Sequence, residues 1–267
     1  MSRWSHQLSC RLPWRRNAGL HFTGDYTTWE GALKDATGYD SPAILAKTRD
    51  AVLKVKRGEA AYERDSVLFD KVEHSFPLLA GLLRGALRQK GELRVLDFGG
   101  ALGSTYFQCR EFLAPVSKLV WCIVEQPAQV ACGKSDLESQ ELRFFSSVEE
   151  CLAACQPNLL LLSSVLQYLP APYETLRELV QRRIPHLIID RTAFLEGGGE
   201  RLTVQHVPPS IYRASYPAWF LSESKLQGII QEAGYRLLAD FPAADVGSPP
   251  GARAHCKGFT YELAARG

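Results

Sequence analysis

The residues best suited to chemistry stand close together in RVLDFGGALGSTYF, residues 94–107. An apolar run ends in the carboxylate of Asp97, and Gly99, Gly100 and Gly103 follow. Glycine tolerates positive φ and lets a ligand approach the main chain, so this spacing predicts a tight strand-to-helix turn that faces a ligand. A second acid, Glu125, closes the next apolar run 28 positions beyond Asp97. A carboxylate placed there can accept hydrogen bonds from both hydroxyls of a ribose. Each feature also has a plainer reading, the glycines as a turn without a ligand and Glu125 as a solvated strand end. Their agreement in spacing favours the ligand. A dinucleotide is disfavoured, because the G-x-G-x-x-G fingerprint read back from Gly103 and Gly100 puts Phe98 where a glycine belongs. Asp97 would also face the pyrophosphate.

The elements that must position these residues follow from hydrophobic period. Short apolar runs at 93–98, 118–125, 142–145, 158–163 and 186–190 alternate with helix-length segments. Runs apolar on both faces and spaced by helices are the mark of parallel strands buried on both sides. Two further strand candidates, 235–241 and 259–263, suit an antiparallel edge. The expected fold class is α/β, a doubly wound, mostly parallel seven-stranded sheet of Rossmann-like type with a helical N-terminal region. Residues 1–91 form that region and 92–267 the ligand-binding domain, with 191–221 as an insertion on the substrate side. In 65–90, Leu68, Val72, Phe76, Leu79, Leu83 and Leu87 draw one helical stripe, which Pro77 kinks or splits. The stretch 19–41 reads as loop with one short helix near Trp29.

Composition limits the function classes. Lys plus Arg total 31 against 29 acids, so no basic field suited to nucleic acid exists. Seven cysteines without a C-x-x-C pair indicate neither a disulfide framework nor zinc, and no metal site is expected. Free thiols and the lack of an apolar leader point to the cytoplasm. The start of the chain sets Trp4, Leu8 and Leu12 at helical spacing among Arg3, Arg11, Arg15 and Arg16. That pattern fits either weak contact with a membrane surface or a loose tail.

VLDFGGALG resembles the first motif of class I S-adenosylmethionine-dependent methyltransferases, VEQ their acidic second-strand end, and LLLSSVLQYLPAPYETL their fourth-strand motif. With GDYTTWEGAL, GYDSP, IIDRTAF and VPPSIYRASYPAWFLS, the chain is similar to a family of bacterial methyltransferases associated with surface-polysaccharide biosynthesis. The resemblance implies S-adenosyl-L-methionine as cofactor. It places Asp97, Gly99, Gly100 and Gly103 around the methionine part and Glu125 on the ribose. Gln126, Phe145 and Ser146 would lie near the adenine. Ser163 and Ser164 would lie under the cofactor, with Gln167 and Tyr168 just beyond. Gln167 stands where many relatives carry histidine, so a base at that position is not implied.

Methyl transfer is an in-line displacement that needs alignment, exclusion of water and often removal of one proton. His206, inside the insertion, is one candidate base, although a lone histidine is more often structural than catalytic. Asp190, at the end of the fifth strand, is another, and Arg191 beside it could bind an acidic group; an Asp–Arg pair that merely ties the strand end is the alternative. Tyr168, Tyr212, Tyr216 and Trp219 are candidate acceptor-wall residues, although aromatics there also suit simple packing. The expected activity is O-methylation of a small molecule or glycan precursor. A non-catalytic cofactor-binding scaffold and a nicotinamide-dependent oxidoreductase are the competing readings. An Asp/Asn-Pro-Pro-aromatic tetrad is absent, since Val207 precedes Pro208 and Pro209, which argues against amino-methylation of DNA.

Overall fold

The computed structural model describes residues 21–38, 42–209, 211, 213–243 and 247–264. The arginine-rich start and Tyr212 lie outside the described residues. In chain order the elements are β1 (His21–Tyr26), α1 (Trp29–Lys34), α2 (Pro42–Lys56), β2 (Tyr62–Arg64), β3 (Val67–Phe69), α3 (Phe76–Arg88), β4 (Glu92–Phe98) and α4 (Ser104–Cys109). There follow β5 (Lys118–Val124), α5 (Pro127–Asp136), β6 (Leu142–Phe145), α6 (Val148–Cys155), β7 (Leu159–Ser163), a 3₁₀ turn (Leu166–Tyr168) and α7 (Pro172–Gln181). The chain closes with β8 (His186–Leu195), β9 (Arg201–His206), β10 (Ser215–Phe220), α8 (Glu223–Glu232), β11 (Tyr235–Pro242) and β12 (Ala254–Leu263).

Seven strands form one sheet in the order β11-β12-β8-β7-β4-β5-β6. The pairs among β8, β7, β4, β5 and β6 are parallel, and β12 runs antiparallel to both its neighbours. This is the doubly wound, mostly parallel sheet that the apolar runs predict. Successive strand residues point to opposite faces. Leu96, Cys122, Leu160 and Leu187 therefore join α6, α7 and α8 in one apolar layer, while Val95, Trp121, Leu159 and Ile188 join α2, α3 and α4 in the other. Each fully buried Leu, Ile or Val contributes about 1.5–3 kcal/mol relative to exposure. The sheet therefore needs both helical layers.

Three local expectations are corrected. The stripe over 65–90 is not one helix. Leu68 lies in the β2–β3 hairpin, and α3 begins at Phe76, with Pro77 in its first turn. A proline starts a helix without loss there, because first-turn N–H groups have no helical acceptor. His21–Tyr26 is a strand rather than loop. It is an edge strand in which Phe22 is the one buried residue, so it carries no alternating pattern. The fifth strand does not stop at Asp190: β8 continues to Leu195, bent at Arg191, where φ is +50°.

The 191–221 segment is built around an antiparallel hairpin. β9 pairs with β10 on one side and with β1 on the other, giving a second sheet of three strands. One face of this sheet, with Phe22, Ala218 and Phe220, packs on Ala193, Leu195 and Tyr168. The other face, with Leu202 and Val204, packs on Ala32 and Trp29 of α1. Gly197, Gly198 and Gly199 all have φ above +80°, as the tight reversal between β8 and β9 requires.

Candidate functional site

The carboxyl ends of β4, β5, β7 and β8 converge, as they must in a parallel sheet whose order reverses beside its first strand. Asp97 ends the buried part of β4 and is 1 % exposed. The indole Nε1 of Trp121, on the neighbouring strand, donates to Asp97 Oδ2 at 2.9 Å. Burial pushes the Asp97 carboxyl up to about 7; the Trp121 hydrogen bond and the positive charge of Arg191 pull in the other direction. A buried carboxylate in this state favours a cationic neighbour and disfavours a phosphate.

The turn after β4 is fitted around that carboxylate. Gly99 has φ +71°, and a Cβ there would lie 2.3 Å from Val165 Cγ2. A Cβ on Gly100 would lie 2.5 Å from Asp97 Oδ2. Ala101 holds φ +50° without being glycine, a position that a side chain occupies only at some cost. Gly103, at φ +93°, opens α4.

Glu125 follows β5 and ties the two loops together. Its Oε1 accepts from the Ala101 amide at 3.2 Å and its Oε2 from the Gln126 amide at 2.8 Å. Burial raises its carboxyl, and these two amides oppose the shift. Gln126 is exposed. Phe145 ends β6 largely buried, with the Arg143 guanidinium 5.2 Å from its ring centre, and Ser146 is exposed beside it. The structure thus brings Asp97, the glycine turn and Glu125 into one constellation, with Gln126, Phe145 and Ser146 along the same strand ends.

A second cluster stands at the ends of β7 and β8. Ser163 Oγ donates to Asp190 Oδ2 at 3.2 Å and accepts from Arg191 Nε and Nη2 at 3.3 Å each. Arg191 also pairs with Asp190 at 3.7 Å. Ser164, at φ +55°, donates its amide to the Asp190 carbonyl. Gln167 is 2 % exposed; its Nε2 donates to Ser164 Oγ and to the Arg191 carbonyl, while its Oε1 is buried without a hydrogen-bond partner. Tyr168 donates to Gln205 Oε1 at 3.1 Å, and Gln205 in turn donates to the Tyr216 hydroxyl at 3.2 Å. Tyr168 and Tyr216 meet edge to face. Trp219 turns aside from this group, its Nε1 fixed on the Leu169 carbonyl and its ring against Leu202 and Val204.

His206 does not join either cluster. Alternation along β9 puts it on the side of Leu202 and Val204, opposite Gln205. Its ring stacks on His21 at 4.5 Å and its Nε2 meets Thr23 Oγ1 at 2.8 Å. Burial, then the neighbouring His21, lowers its pKa.

Sequence reasoning missed the β2–β3 hairpin, which packs against the start of α4. Tyr62 and Glu63 are 2 % and 1 % exposed. Glu63 accepts from Ser104 Oγ, at the start of α4, and from the Ser66 amide at 3.2 Å. Burial pushes its carboxyl up to about 7 despite those bonds. Arg64 Nε donates to the Tyr62 hydroxyl at 2.9 Å. The hairpin falls in the region that the sequence was expected to make helical. A tyrosine next to three charges was the one available signal. Trp121 was missed as the donor to Asp97, although its place in the adjacent apolar strand made the contact readable. Among the described residues no cluster of His, Cys, Asp and Glu suits a metal ion.

No protein-family model matches the chain, and no curated protein sequence does. Several solved structures share a loose likeness of fold. The N-terminal domain of EvdMO1, crystallised in the presence of SAH and D-fucose, is 14 % identical over 82 % of this chain and 97 % of that one, with a TM-score of 0.46. A S-adenosylmethionine-dependent methyltransferase from Clostridium acetobutylicum ATCC 824 is 9 % identical over 82 % and 99 %, also at 0.46. The glycopeptide N-methyltransferase MtfA, complexed with S-adenosylmethionine, is 11 % identical over 69 % and 88 %, again at 0.46. What the site can do is read from its own residues.

Proposed function

We propose that the chain is a S-adenosyl-L-methionine-dependent methyltransferase that methylates an oxygen of a small molecule or glycan precursor. The observation that carries this reading is the buried Asp97 carboxylate, held by one neutral donor and wrapped by a turn that has no room for a side chain at Gly100. Such a carboxylate suits the ammonium and sulfonium of this cofactor and repels a pyrophosphate. Glu125, at the end of the next strand, is placed for the ribose hydroxyls, with Gln126, Phe145 and Ser146 beyond it for the adenine. Bound, S-adenosylmethionine supplies a methyl group to a nucleophile in line with its sulfonium.

The chain's own residues then have separate tasks. Asp97 holds positive charge in a site closed to water. Ser163, Ser164 and Gln167 floor the cleft, and Asp190 orients an acceptor hydroxyl. Tyr168 and Tyr216, joined through Gln205, wall the acceptor side. A sugar acceptor is favoured by the resemblance to polysaccharide-associated methyltransferases and by this tyrosine wall, since aromatic faces suit sugar faces. A reducing compartment, the cytoplasm, suits the six described cysteines, none of them in a disulfide and five of them buried. The described helices include none long and apolar enough to cross a membrane.

One observation favours a second reading. Gln167 is tied through Nε2 to Ser164 and to Arg191, so it serves as a positioning amide and not as a base. A non-catalytic cofactor-binding protein would need no more. Calorimetric titration with S-adenosylmethionine and its demethylated product, followed by single-turnover assays on sugars, nucleotide sugars and lipid-linked glycans, separates the two. Micromolar binding lost in Asp97→Ala and Glu125→Ala, with methyl transfer to any acceptor, supports the enzyme. Binding without transfer supports the second reading, and a folded protein that binds neither ligand overturns both.

A further inference from the structure

The outward side of α3 carries an apolar stripe. Phe76, Ala80, Leu83 and Leu87 follow at intervals of four, three and four, which sets them on one line along the helix. Phe76 is 64 % exposed and Leu87 79 %, the two most exposed large apolar side chains among the described residues. Ala80 between them is exposed and Leu83 half-buried. Phe112, also exposed, meets Phe76 edge to face at 6.1 Å and broadens the stripe at that end. The stripe cannot turn inward. The opposite side of α3 is seated on the sheet through Gly81 and Gly85, where a Cβ would lie 2.7 Å from Ile188 Cδ1 and 3.0 Å from Leu159 Cδ1. A surface helix ordinarily has one apolar face, and a second, exposed one marks a contact surface.

This face is complementary to itself. Intervals of four, three and four read the same in both directions. A two-fold axis at the midpoint of α3 therefore lays Phe76 on the partner's Leu87 and Ala80 on the partner's Leu83, with the helices antiparallel. Small Ala80 makes room for Leu83 at the centre, and the bulkier pair closes each end. Charge is sorted to match. At the C-terminal end Arg84 Nη2, Arg88 Nε and Arg236 Nη2 share the one carboxylate of Glu262, at 2.8, 3.0 and 3.5 Å, and Lys90 follows. That end is left positive. The segment entering the N-terminal end holds Asp70 and Glu73 against Lys71, and is left negative. Antiparallel packing sets each negative end beside a positive one and opposes the two helix dipoles. The same sorting disfavours an anionic membrane, which would attract one end of the stripe and repel the other.

We propose that this face of α3 is the contact surface of a symmetric homodimer, the two helices pairing antiparallel about the midpoint between Ala80 and Leu83. The proposal uses no residue of the cleft and stands apart from the cofactor reading. The stripe and Phe112 offer on the order of a few hundred Å² per copy, the low end for a specific interface, so a reversible dimer is expected.

Sedimentation velocity of the full chain, from about 1 to about 100 µM, tests this. Wild type is expected to move from the 29.7 kDa chain toward twice that mass as concentration rises. Leu87→Glu is expected to stay monomeric throughout. Because Leu87 is mostly exposed in the single chain, this variant should keep its fold, which circular dichroism checks. Asp70→Lys acts twice in a symmetric pair and is expected to weaken association five- to tenfold at low salt, and less at high salt. A wild-type chain that stays monomeric overturns the proposal, as does a dimer that Leu87→Glu leaves intact. A dimer indifferent to Asp70→Lys overturns the antiparallel order. Binding to phosphatidylglycerol vesicles that Leu87→Glu abolishes, in a chain that does not dimerise, overturns it in favour of a membrane.

Discussion

Gly100 and Asp97 are fitted to each other: the space a Cβ would take on Gly100 lies 2.5 Å from Asp97 Oδ2. The glycine turn is therefore shaped as much by the carboxylate it wraps as by any ligand. Gly100→Ala is expected to push Asp97 off the Trp121 indole. Urea unfolding should show a loss of about 1–3 kcal/mol, typical of overpacking, and calorimetry a fall of at least tenfold in S-adenosylhomocysteine affinity. A variant unchanged in both would show that the loop and the acid are independent.

The protonation of Asp97 gives a prediction with a definite sign. Its carboxyl ionises near 7 in the fold and near 3.8 otherwise, so folding favours the protonated form between those values. This group's contribution to stability is therefore full below about pH 4 and is lost as pH rises toward 7. Asp97→Asn is expected to remove that slope and to be more stable than wild type at pH 8 by a few kcal/mol. Urea melts of both proteins from pH 4 to 8 check this; parallel curves would refute it.

Ligand binding should follow the opposite course. An ammonium beside Asp97 favours the ionised carboxylate, so wild-type affinity for S-adenosylhomocysteine is expected to rise from pH 6 to pH 8. The rise should vanish in Asp97→Asn. Calorimetry in two buffers of different ionisation heat would also detect the proton released on binding below pH 7. No proton release would remove Asp97 from contact with the ligand's charge.

Glu125→Gln keeps the size of the side chain and removes its charge. Affinity for S-adenosylhomocysteine is expected to fall about tenfold, or 1.4 kcal/mol. The variant should also cease to discriminate against a 2′-deoxyribose analogue, because the paired hydroxyls lose their acceptor. Retained discrimination would place the ribose elsewhere.

His206→Ala provides the contrast. The ring stacks on His21 on the face of β9 away from Gln205. Turnover of any acceptor found in the screen is expected to stay within twofold of wild type, with stability changed by less than about 1 kcal/mol. A hundredfold loss in turnover would make His206 a candidate base again.

The parts of this fold that were legible in the sequence are those whose signal is local. Leu93–Phe98 and Leu159–Ser163 are apolar on both faces because both faces are buried, and a central parallel strand is the element that most often demands such a run. Asp97, the glycines and Glu125 were readable for the same reason, since each closes a run of this kind. What stayed hidden depends on distant partners. Phe22 is the lone buried residue of β1, and only pairing with β9 makes that segment a strand. Glu63 looks like a solvated charge until α4 covers it. His206 carried the right chemistry, but the face it occupies was fixed by register with His21 and Ser215, which no local pattern reveals.

The pairing of β1 with β9 also bears on how the molecule assembles. Thr23 and His206 are hydrogen-bonded across 183 positions of chain, so the three-stranded sheet closes only after most of the polypeptide has been made. Contacts of such separation form late and slowly. During synthesis the first strand waits unpaired with an open edge, while the parallel sheet between is still being laid down. Completion of the small sheet therefore serves as a final latch, and Tyr216 and Gln205 take their places only when it shuts.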